Sequence, residues 1–130
     1  NGITFINDSK GTNVFSTKAA INSFKKNIVL ILGGSKGNIE KKYLLDIINK
    51  NNICYVICYG EIGHELFLLL KKIKPTKYFE LFEHAILESI NIANKGDVIL
   101  LSPAFKSYDQ FKNFEQRGNA FKNIVNKYYA

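Results

Sequence analysis

The chain has 130 residues, of which 46% are hydrophobic and 22% are charged. This length fits one domain with a substantial core, and both fractions are ordinary for a globular protein. No apolar run approaches the roughly 20 residues that span a bilayer, and residues 1–10 lack the basic start and apolar stretch of a signal peptide. We therefore predict no membrane contact and a cytoplasmic location. Since no initiator methionine is present, residues 1–130 are interpreted as one domain cut from a longer chain.

The net charge of +7 raises the question of nucleic-acid binding. Nucleic-acid sites usually combine clustered lysine and arginine with interleaved aromatic residues. Here the lysines are scattered, and Arg117 is the only arginine. The charge therefore predicts a solvated surface and no nucleic-acid partner, although it also suits a small anionic substrate.

Two cysteines, Cys54 and Cys58, lie in the run ICYVICY at residues 53–59. Their even spacing predicts that both leave the same face of a strand, too far apart for a disulfide. The two histidines, His64 and His84, are isolated in sequence and do not complete a zinc site with them. We interpret both cysteines as buried structural thiols, both histidines as surface residues, and the chain as having no metal site.

Short β-branched runs alternate with longer amphipathic segments along the chain. In chain order, we predict a strand over 2–7, a helix over 13–24, a strand over 28–32, a helix over 39–49, a strand over 53–59, a helix over 62–73, a short strand over 78–79, a helix over 83–94, a strand over 97–101 and a helix over 107–128 with a possible break near Gly118. This alternation predicts a single α/β domain of the Rossmann-like, doubly wound class. Its sheet is expected to be mostly parallel, with helices on both faces.

Ligands of such folds bind outside the carboxyl ends of the strands, so the segments there are the candidate site. The first is NDSKGTN at residues 7–13. Its Asp, Lys and Thr suit a nucleotide hydroxyl, an anionic oxygen and a carboxylate. Thr12 or Asn13 alone is more typical of a helix cap, whereas Lys10 beside Asp8 has no evident structural need.

The second segment, GGSKGN at residues 33–38, is a glycine-rich turn that runs toward a helix. Backbone N–H groups at such a turn can hold an anion, and Lys36 would add a full positive charge. A tight turn that needs glycine is a nearly equal explanation, and the spacing is not that of a phosphate-binding P-loop. The third, YGEIG at residues 59–63, is a similar glycine turn without a complete dinucleotide fingerprint.

The last segment is LSPAFKSYDQFKNFEQRG at residues 101–118. Ser107 stands where the helix is predicted to begin, so it either caps that helix or holds a carboxylate. No histidine lies nearby to make it a nucleophile. Residues 115–118 are predicted to be an exposed polar run.

These segments, in this order and spacing, resemble the C-terminal domain of the D-glutamate-adding Mur ligases. The most specific matches are residues 7–13 and residues 101–118, and the likeness extends over residues 1–128. It implies that this is the third domain of a three-domain enzyme. A UDP-binding domain and a central ATPase domain would precede it, and the isolated domain would be inactive.

The resemblance also assigns residues of the first two segments. Asp8 matches an aspartate that lies near the nucleotide. Lys10 matches a residue on the amino-acid and phosphate side of the site, which makes it both a D-glutamate and a nucleotide contact, and Thr12 matches one that helps hold D-glutamate. Lys36 matches a lysine that contacts the D-glutamate carboxylate. The turn around Lys36 is one residue shorter than the usual form and lacks its acidic residue.

In the last segment, the resemblance gives D-glutamate contacts to Ser107, Tyr108 and Phe114. Ser107 would bind through its hydroxyl, and Phe114 through its backbone N–H. Tyr108 replaces the commoner leucine beside Ser107, a change that reshapes the edge of the pocket.

The implied activity is that of an ATP-dependent amide-forming ligase of peptidoglycan biosynthesis. With ATP and Mg²⁺, both held mainly by the absent central domain, the carboxylate of UDP-N-acetylmuramoyl-L-alanine becomes an acyl phosphate. The amine of D-glutamate then attacks it. The contribution expected of this domain is to hold D-glutamate in place and to close over the ATP site.

Two other interpretations remain. A stand-alone flavodoxin-like binding module shares the fold class, but no acidic phosphoacceptor cluster or flavin phosphate loop is evident. The glutamate-adding domain of a folate-type ligase is related in fold, and the long segment at residues 109–118 argues against it.

Overall fold

The computed structural model describes residues 2–130. Its strands and helices alternate from the first to the last element. They are β1 (Thr4–Asn7), α1 (Val14–Asn22), β2 (Ile28–Gly33), α2 (Lys41–Ile48), β3 (Ile53–Tyr59), α3 (Gly63–Leu70), β4 (Thr76–Phe79), α4 (Phe82–Ile92), β5 (Val98–Ala104) and α5 (Phe114–Tyr129).

The five strands form one sheet in the order β1-β5-β2-β3-β4, and every neighbouring pair is parallel. The predicted α/β class and parallel sheet are therefore confirmed. All residues of β2 and β5 are buried, because these strands lie inside the sheet with helices over both faces. Their uninterrupted apolar sequences are what such positions require.

Alternate residues of the central strands face two separate cores. Leu30 and Leu100 belong to a core that also contains residues of α1, α2 and α3. Ile31 and Ile99 belong to a second core, which contains residues of α4 and α5. Three helices thus cover one face of the sheet and two cover the other.

The two cysteines do not share a face, so that prediction was wrong. The ladder between β2 and β3 pairs Ile28 with Ile53 but Val29 with Tyr55, which leaves Cys54 as an extra, bulged residue. Cys54 therefore packs beside the core of α4 and α5, whereas Cys58 lies in the other core. Both thiols are free, and burial raises the pKa of each. Cys58 is buried as predicted, and Cys54 is only partly buried.

The final helix begins at Phe114, not near Ser107, and runs through Gly118 without a break. Asn113 caps it, since its side-chain oxygen accepts the backbone N–H of Gln116 at 2.8 Å. The predicted exposed run was also wrong in part, because Arg117 is 0% exposed. The chain between β5 and α5 is instead a loop at the carboxyl edge of the sheet.

Candidate functional site

The carboxyl ends of β1, β2, β3 and β5 lie along one edge of the sheet, and the loops that follow them meet there. Ala104, the last residue of β5, donates its backbone N–H to the Gly11 carbonyl at 2.8 Å. Ser35, after β2, donates its backbone N–H to the Lys106 carbonyl at 2.7 Å. These bonds join the loops after β1 and β2 to the loop after β5.

A cleft of about 710 Å³ opens between these loops, and we call it the main cleft. Three residues assigned by resemblance line it: Thr12, Lys36 and Tyr108. They come from three different strand ends, so the topology of the sheet brings them together. A cleft of this size at the carboxyl edge is where a parallel α/β fold binds ligands.

Helix α1, which follows β1, is capped by Asn13. The helix-cap explanation of this segment therefore holds for Asn13 and not for Thr12. The Asn13 side chain accepts the backbone N–H of Ser16 at 3.0 Å. Thr12 is therefore not needed as a cap and lies in the wall of the main cleft. Lys10, two residues earlier, is exposed on the other side of the loop.

The glycine-rich turn is shaped by close backbone packing. Gly33 and Gly34 have φ values of 146° and 131°, and a side chain on Gly34 would place its Cβ 2.2 Å from the Lys106 carbonyl oxygen. The turn does not open a helix, because α2 begins only at Lys41. The Lys36 backbone N–H also has an acceptor already, Oε1 of Glu61 at 3.3 Å. The expected helix N-terminus is therefore not part of this turn, and the Lys36 side chain supplies the full positive charge that the turn presents.

Three acidic residues that the sequence reasoning did not assign also line the main cleft, Glu40, Glu61 and Asp109. The Glu61 backbone N–H donates to Oδ2 of Asp109 at 3.3 Å, and the Asp109 backbone N–H donates to Oγ of Ser35 at 3.1 Å. Within residues 2–130, Oδ1 of Asp109 is buried without a hydrogen-bond partner. Burial is the largest cause that raises the pKa of Asp109. These bonds tie the loops after β2, β3 and β5 into one wall.

Ser107 lies in this wall but is itself 2% exposed. Its carbonyl accepts the backbone N–H groups of Gln110 and Phe111, at 3.3 and 2.9 Å, so it begins a turn and not a helix. Its neighbours Lys106 and Tyr108 line the main cleft.

The remaining assigned residues lie outside the main cleft. Asp8 and Lys10 line a second cavity of about 500 Å³, beside α1. Phe114 lines a third cavity of about 250 Å³, which Lys10 also borders. Oδ2 of Asp8 accepts the Ser102 hydroxyl at 2.6 Å, which holds this carboxylate against β5. The structure thus divides the assigned residues into two groups. Thr12, Lys36 and Tyr108 line the main cleft, whereas Asp8, Lys10 and Phe114 line the two smaller cavities. Lys10 lies between β1 and the start of α5.

A buried arginine holds this second region together, a role that the sequence did not reveal. Arg117 donates from Nε and Nη2 to the hydroxyl and carbonyl oxygens of Ser9, at 3.0 and 2.8 Å. Its Nη1 donates to the Tyr59 hydroxyl at 3.0 Å. Ser9 in turn donates its hydroxyl hydrogen to the Phe114 carbonyl at 2.7 Å. We call these four residues the β1–α5 junction.

The described residues provide little for a metal ion. No group of three or more His, Cys, Asp or Glu side chains in residues 2–130 is close enough to hold one. His64 and His84 are both exposed, as predicted, and His64 packs edge-on against Tyr78 with 5.5 Å between ring centroids. None of the helices in the same residues is long and apolar enough to cross a membrane.

Comparisons with known proteins show the family and the fold of this chain. The model of the family described as Mur ligase, glutamate ligase domain, matches residues 1–105. That range contains Asp8, Lys10, Thr12 and Lys36 and ends before Ser107. A solved domain of a putative UDP-N-acetylmuramate:L-alanyl-gamma-D-glutamyl-meso-diaminopimelate ligase from Haemophilus ducreyi superposes with a TM-score of 0.59 at 15% identity, covering 97% of this chain and 88% of that one. At that identity, the likeness shows the fold alone.

Curated relatives are more similar in sequence. The UDP-N-acetylmuramoylalanine–D-glutamate ligase of Buchnera aphidicola is 45% identical over 128 residues, which cover 96% of this chain and 28% of that protein. The ligase of the same name from Caldicellulosiruptor saccharolyticus is 41% identical over 130 residues, covering 98% of this chain and 28% of its own length. The chain thus spans between a quarter and a third of these relatives. On the family match and these identities, the chain belongs to the family of Mur ligase glutamate ligase domains.

Proposed function

We propose that this chain is the D-glutamate-binding domain of an ATP-dependent ligase that joins D-glutamate to UDP-N-acetylmuramoyl-L-alanine in peptidoglycan biosynthesis. The observation that carries the proposal is the main cleft, in which Thr12, Lys36 and Tyr108 meet from three strand ends. The names of the relatives favour this activity over that of a folate-type ligase. The family match does not favour a stand-alone flavodoxin-like module.

In this proposal, Lys36 and Thr12 bind the carboxylates of D-glutamate in the main cleft. An ammonium-to-carboxylate bond and a hydroxyl bond together fix the position of the ligand. Tyr108 forms the exposed rim, and Ser107 adds a hydroxyl after a small movement of the turn that now buries it. Phe114, the first residue of α5, has a backbone N–H without an acceptor in the helix, but it borders the third cavity, so its contact with D-glutamate requires the ligand to reach beyond the main cleft.

The second region faces the nucleotide. Lys10 is exposed beside Asp8, so it can reach an anionic oxygen, while Asp8 keeps one carboxylate oxygen beyond its bond to Ser102. ATP and Mg²⁺, when bound, allow the carboxylate of UDP-N-acetylmuramoyl-L-alanine to become an acyl phosphate. The residues of this chain hold the amine of D-glutamate near the carbonyl carbon of that group, which is a proximity contribution and not proton transfer.

The other parts of the enzyme complete this arrangement. Because the chain spans 28% of its relatives, a UDP-binding domain and a central ATPase domain are proposed as its covalent partners. They would hold UDP-N-acetylmuramoyl-L-alanine, most of the ATP and the Mg²⁺, and this domain would close over them. We place the enzyme in the cytoplasm, where ATP is available.

The test is to replace Lys36 with alanine in the full-length ligase. Loss of one charge-assisted bond should raise the D-glutamate KM by about tenfold or more, with the ATP KM unchanged. Lys72→Ala, an exposed lysine beyond α3, is the matched control. An unchanged D-glutamate KM would rule out the role of Lys36. Full ligase activity from residues 1–130 alone would overturn the assignment as a partial enzyme.

A further inference from the structure

The main cleft contains a second lysine that no motif pointed to. Lys106 is exposed and lines the cleft together with Lys36. The hydrogen bond between the Ser35 N–H and the Lys106 carbonyl, 2.7 Å long, makes the two lysines neighbours across the joined loops. Each has a flexible four-carbon side chain that can move its ammonium group toward a shared ligand.

The acidic side chains of the cleft form no ion pair with these lysines in residues 2–130, and Glu40, which also lines the cleft, accepts a hydrogen bond from the Asn38 side chain. Glu61 accepts the backbone N–H of Lys36, and Asp109 accepts the backbone N–H of Glu61. Both carboxylates are therefore bound by main-chain donors. Within residues 2–130, the only ion pair joins Lys77 and Glu88, so neither Lys36 nor Lys106 has a carboxylate partner in the chain. An anion that contacts both ammonium groups gives each lysine a charged partner that residues 2–130 do not supply.

We propose that Lys106 binds the second carboxylate of the amino-acid substrate, so that Lys36 and Lys106 each hold one carboxylate of a dicarboxylic amino acid. This inference rests on the proposed function and adds a specificity-determining residue to it. A ligand with two carboxylates satisfies both ammonium groups, whereas a monocarboxylic amino acid leaves one of them unpaired. Lys106 therefore favours a dicarboxylic substrate over a neutral amino acid of similar size.

The backbone and the side chain of Lys106 have separate tasks, which makes the residue suitable for mutation. Its carbonyl oxygen anchors the glycine turn through Ser35. Truncation of the side chain leaves that carbonyl in place. Lys106→Ala should therefore keep the fold and the position of Lys36, while it removes one ammonium group from the cleft.

The experiment measures steady-state kinetics of the full-length ligase and its Lys106→Ala, Lys106→Arg and Lys36→Ala variants, with Lys72→Ala as the control. Lys106→Ala should raise the D-glutamate KM by about fivefold to tenfold, the size expected for loss of one charged hydrogen bond. The value of kcat should change less than KM, and the ATP KM should stay the same. Lys106→Arg should recover most of the loss, because it restores the cation.

The double variant decides whether the two lysines bind different carboxylates. If they do, the KM increases of Lys36→Ala and Lys106→Ala multiply in the double variant. The inference is overturned if Lys106→Ala behaves like Lys72→Ala, if its effect is on the ATP KM, or if the double variant is no worse than Lys36→Ala alone. A wild-type enzyme that does not join D-glutamate would instead disprove the proposed function, and this inference with it.

Discussion

The main cleft and the β1–α5 junction lie at the same edge of the sheet but are built in opposite ways. In the main cleft, Lys36 and Tyr108 are exposed and Thr12 is partly exposed, and backbone hydrogen bonds between loops hold the walls. In the junction, one buried side chain, Arg117, holds two segments that are 108 positions apart in sequence. Substitution of a cleft side chain should therefore alter binding, whereas substitution in the junction should alter stability.

The charge of Arg117 makes this contrast sharper. Burial of a cation is costly unless hydrogen bonds replace its water. All three bonds of Arg117 to Ser9 and Tyr59 go to neutral oxygen atoms. Burial is the largest cause that raises the pKa of Tyr59, and the nearby Arg117 charge opposes it. The junction is thus a polar unit in a dry environment, and each of its members depends on the others.

The largest effect is expected from Arg117→Ala. The change leaves a cavity and removes hydrogen bonds from Ser9 and Tyr59, so the free energy of unfolding should fall by about 3 kcal/mol or more. Urea denaturation of the 130-residue chain measures it. Lys122→Ala, at an exposed position of the same helix, should stay within about 0.5 kcal/mol of the wild type. A similar small loss for both variants would remove the contrast between junction and cleft.

A smaller effect is expected from Gly34→Ala, and Gly96→Ala is its matched control. Both glycines have positive φ, 131° and 95°, but only a Cβ on Gly34 meets a neighbour, the Lys106 carbonyl oxygen. Gly96→Ala should cost about 1 kcal/mol of unfolding free energy from backbone strain alone. Gly34→Ala should cost about 2–3 kcal/mol, because the loop of Lys106 must also move. Equal losses in urea denaturation would show that the close contact adds nothing.

The smallest effect concerns the pH dependence of stability through Asp109. Its pKa is raised in the folded state, so the folded protein holds this proton more tightly than the unfolded chain does. The wild type should therefore lose stability relative to Asp109→Asn as the pH rises above the usual aspartate value of 3.8 and through the raised pKa. The measurement is the difference in Tm between the two proteins at several pH values. A difference that does not change with pH would contradict the prediction.

Much of the fold could be predicted from the sequence, because the strands inside the sheet leave a clear pattern. Residues 53–59 were assigned correctly as a whole strand, and the apolar runs of β2 and β5 correctly indicated burial on both faces. Local spacing failed where distant partners decide the structure. The sequence pattern predicted a helix from residue 107, but Asp109 is bound to Ser35, and Gln110 to Glu80 and Phe82, so this segment is a loop.

Part of the candidate site could also be predicted from the sequence. The resemblance assigned Thr12, Lys36 and Tyr108, and the rule that ligands bind at the carboxyl ends of parallel strands predicted that their segments meet at one edge of the sheet. It could not show that Glu61 would occupy the Lys36 N–H, or that Lys106 would border the same cleft. It also could not identify Arg117 as buried, because an arginine next to polar residues is usually exposed, and its partners are far away in sequence.

The position of β1 at the sheet edge has a consequence for how the domain folds during synthesis. Strands β2, β3 and β4 are neighbours in chain order and can pair as soon as they leave the ribosome. In residues 2–130, β1 pairs only with β5, so Thr4 cannot form its strand pairing until Val98 has been synthesised. The loop that contains Ser9 and Lys10 is held by Arg117, so its hydrogen bonds form only after the final helix has been synthesised. A nascent chain that ends before α5 therefore contains Asp8 and Lys10 but lacks the hydrogen bonds from Arg117 that hold their loop.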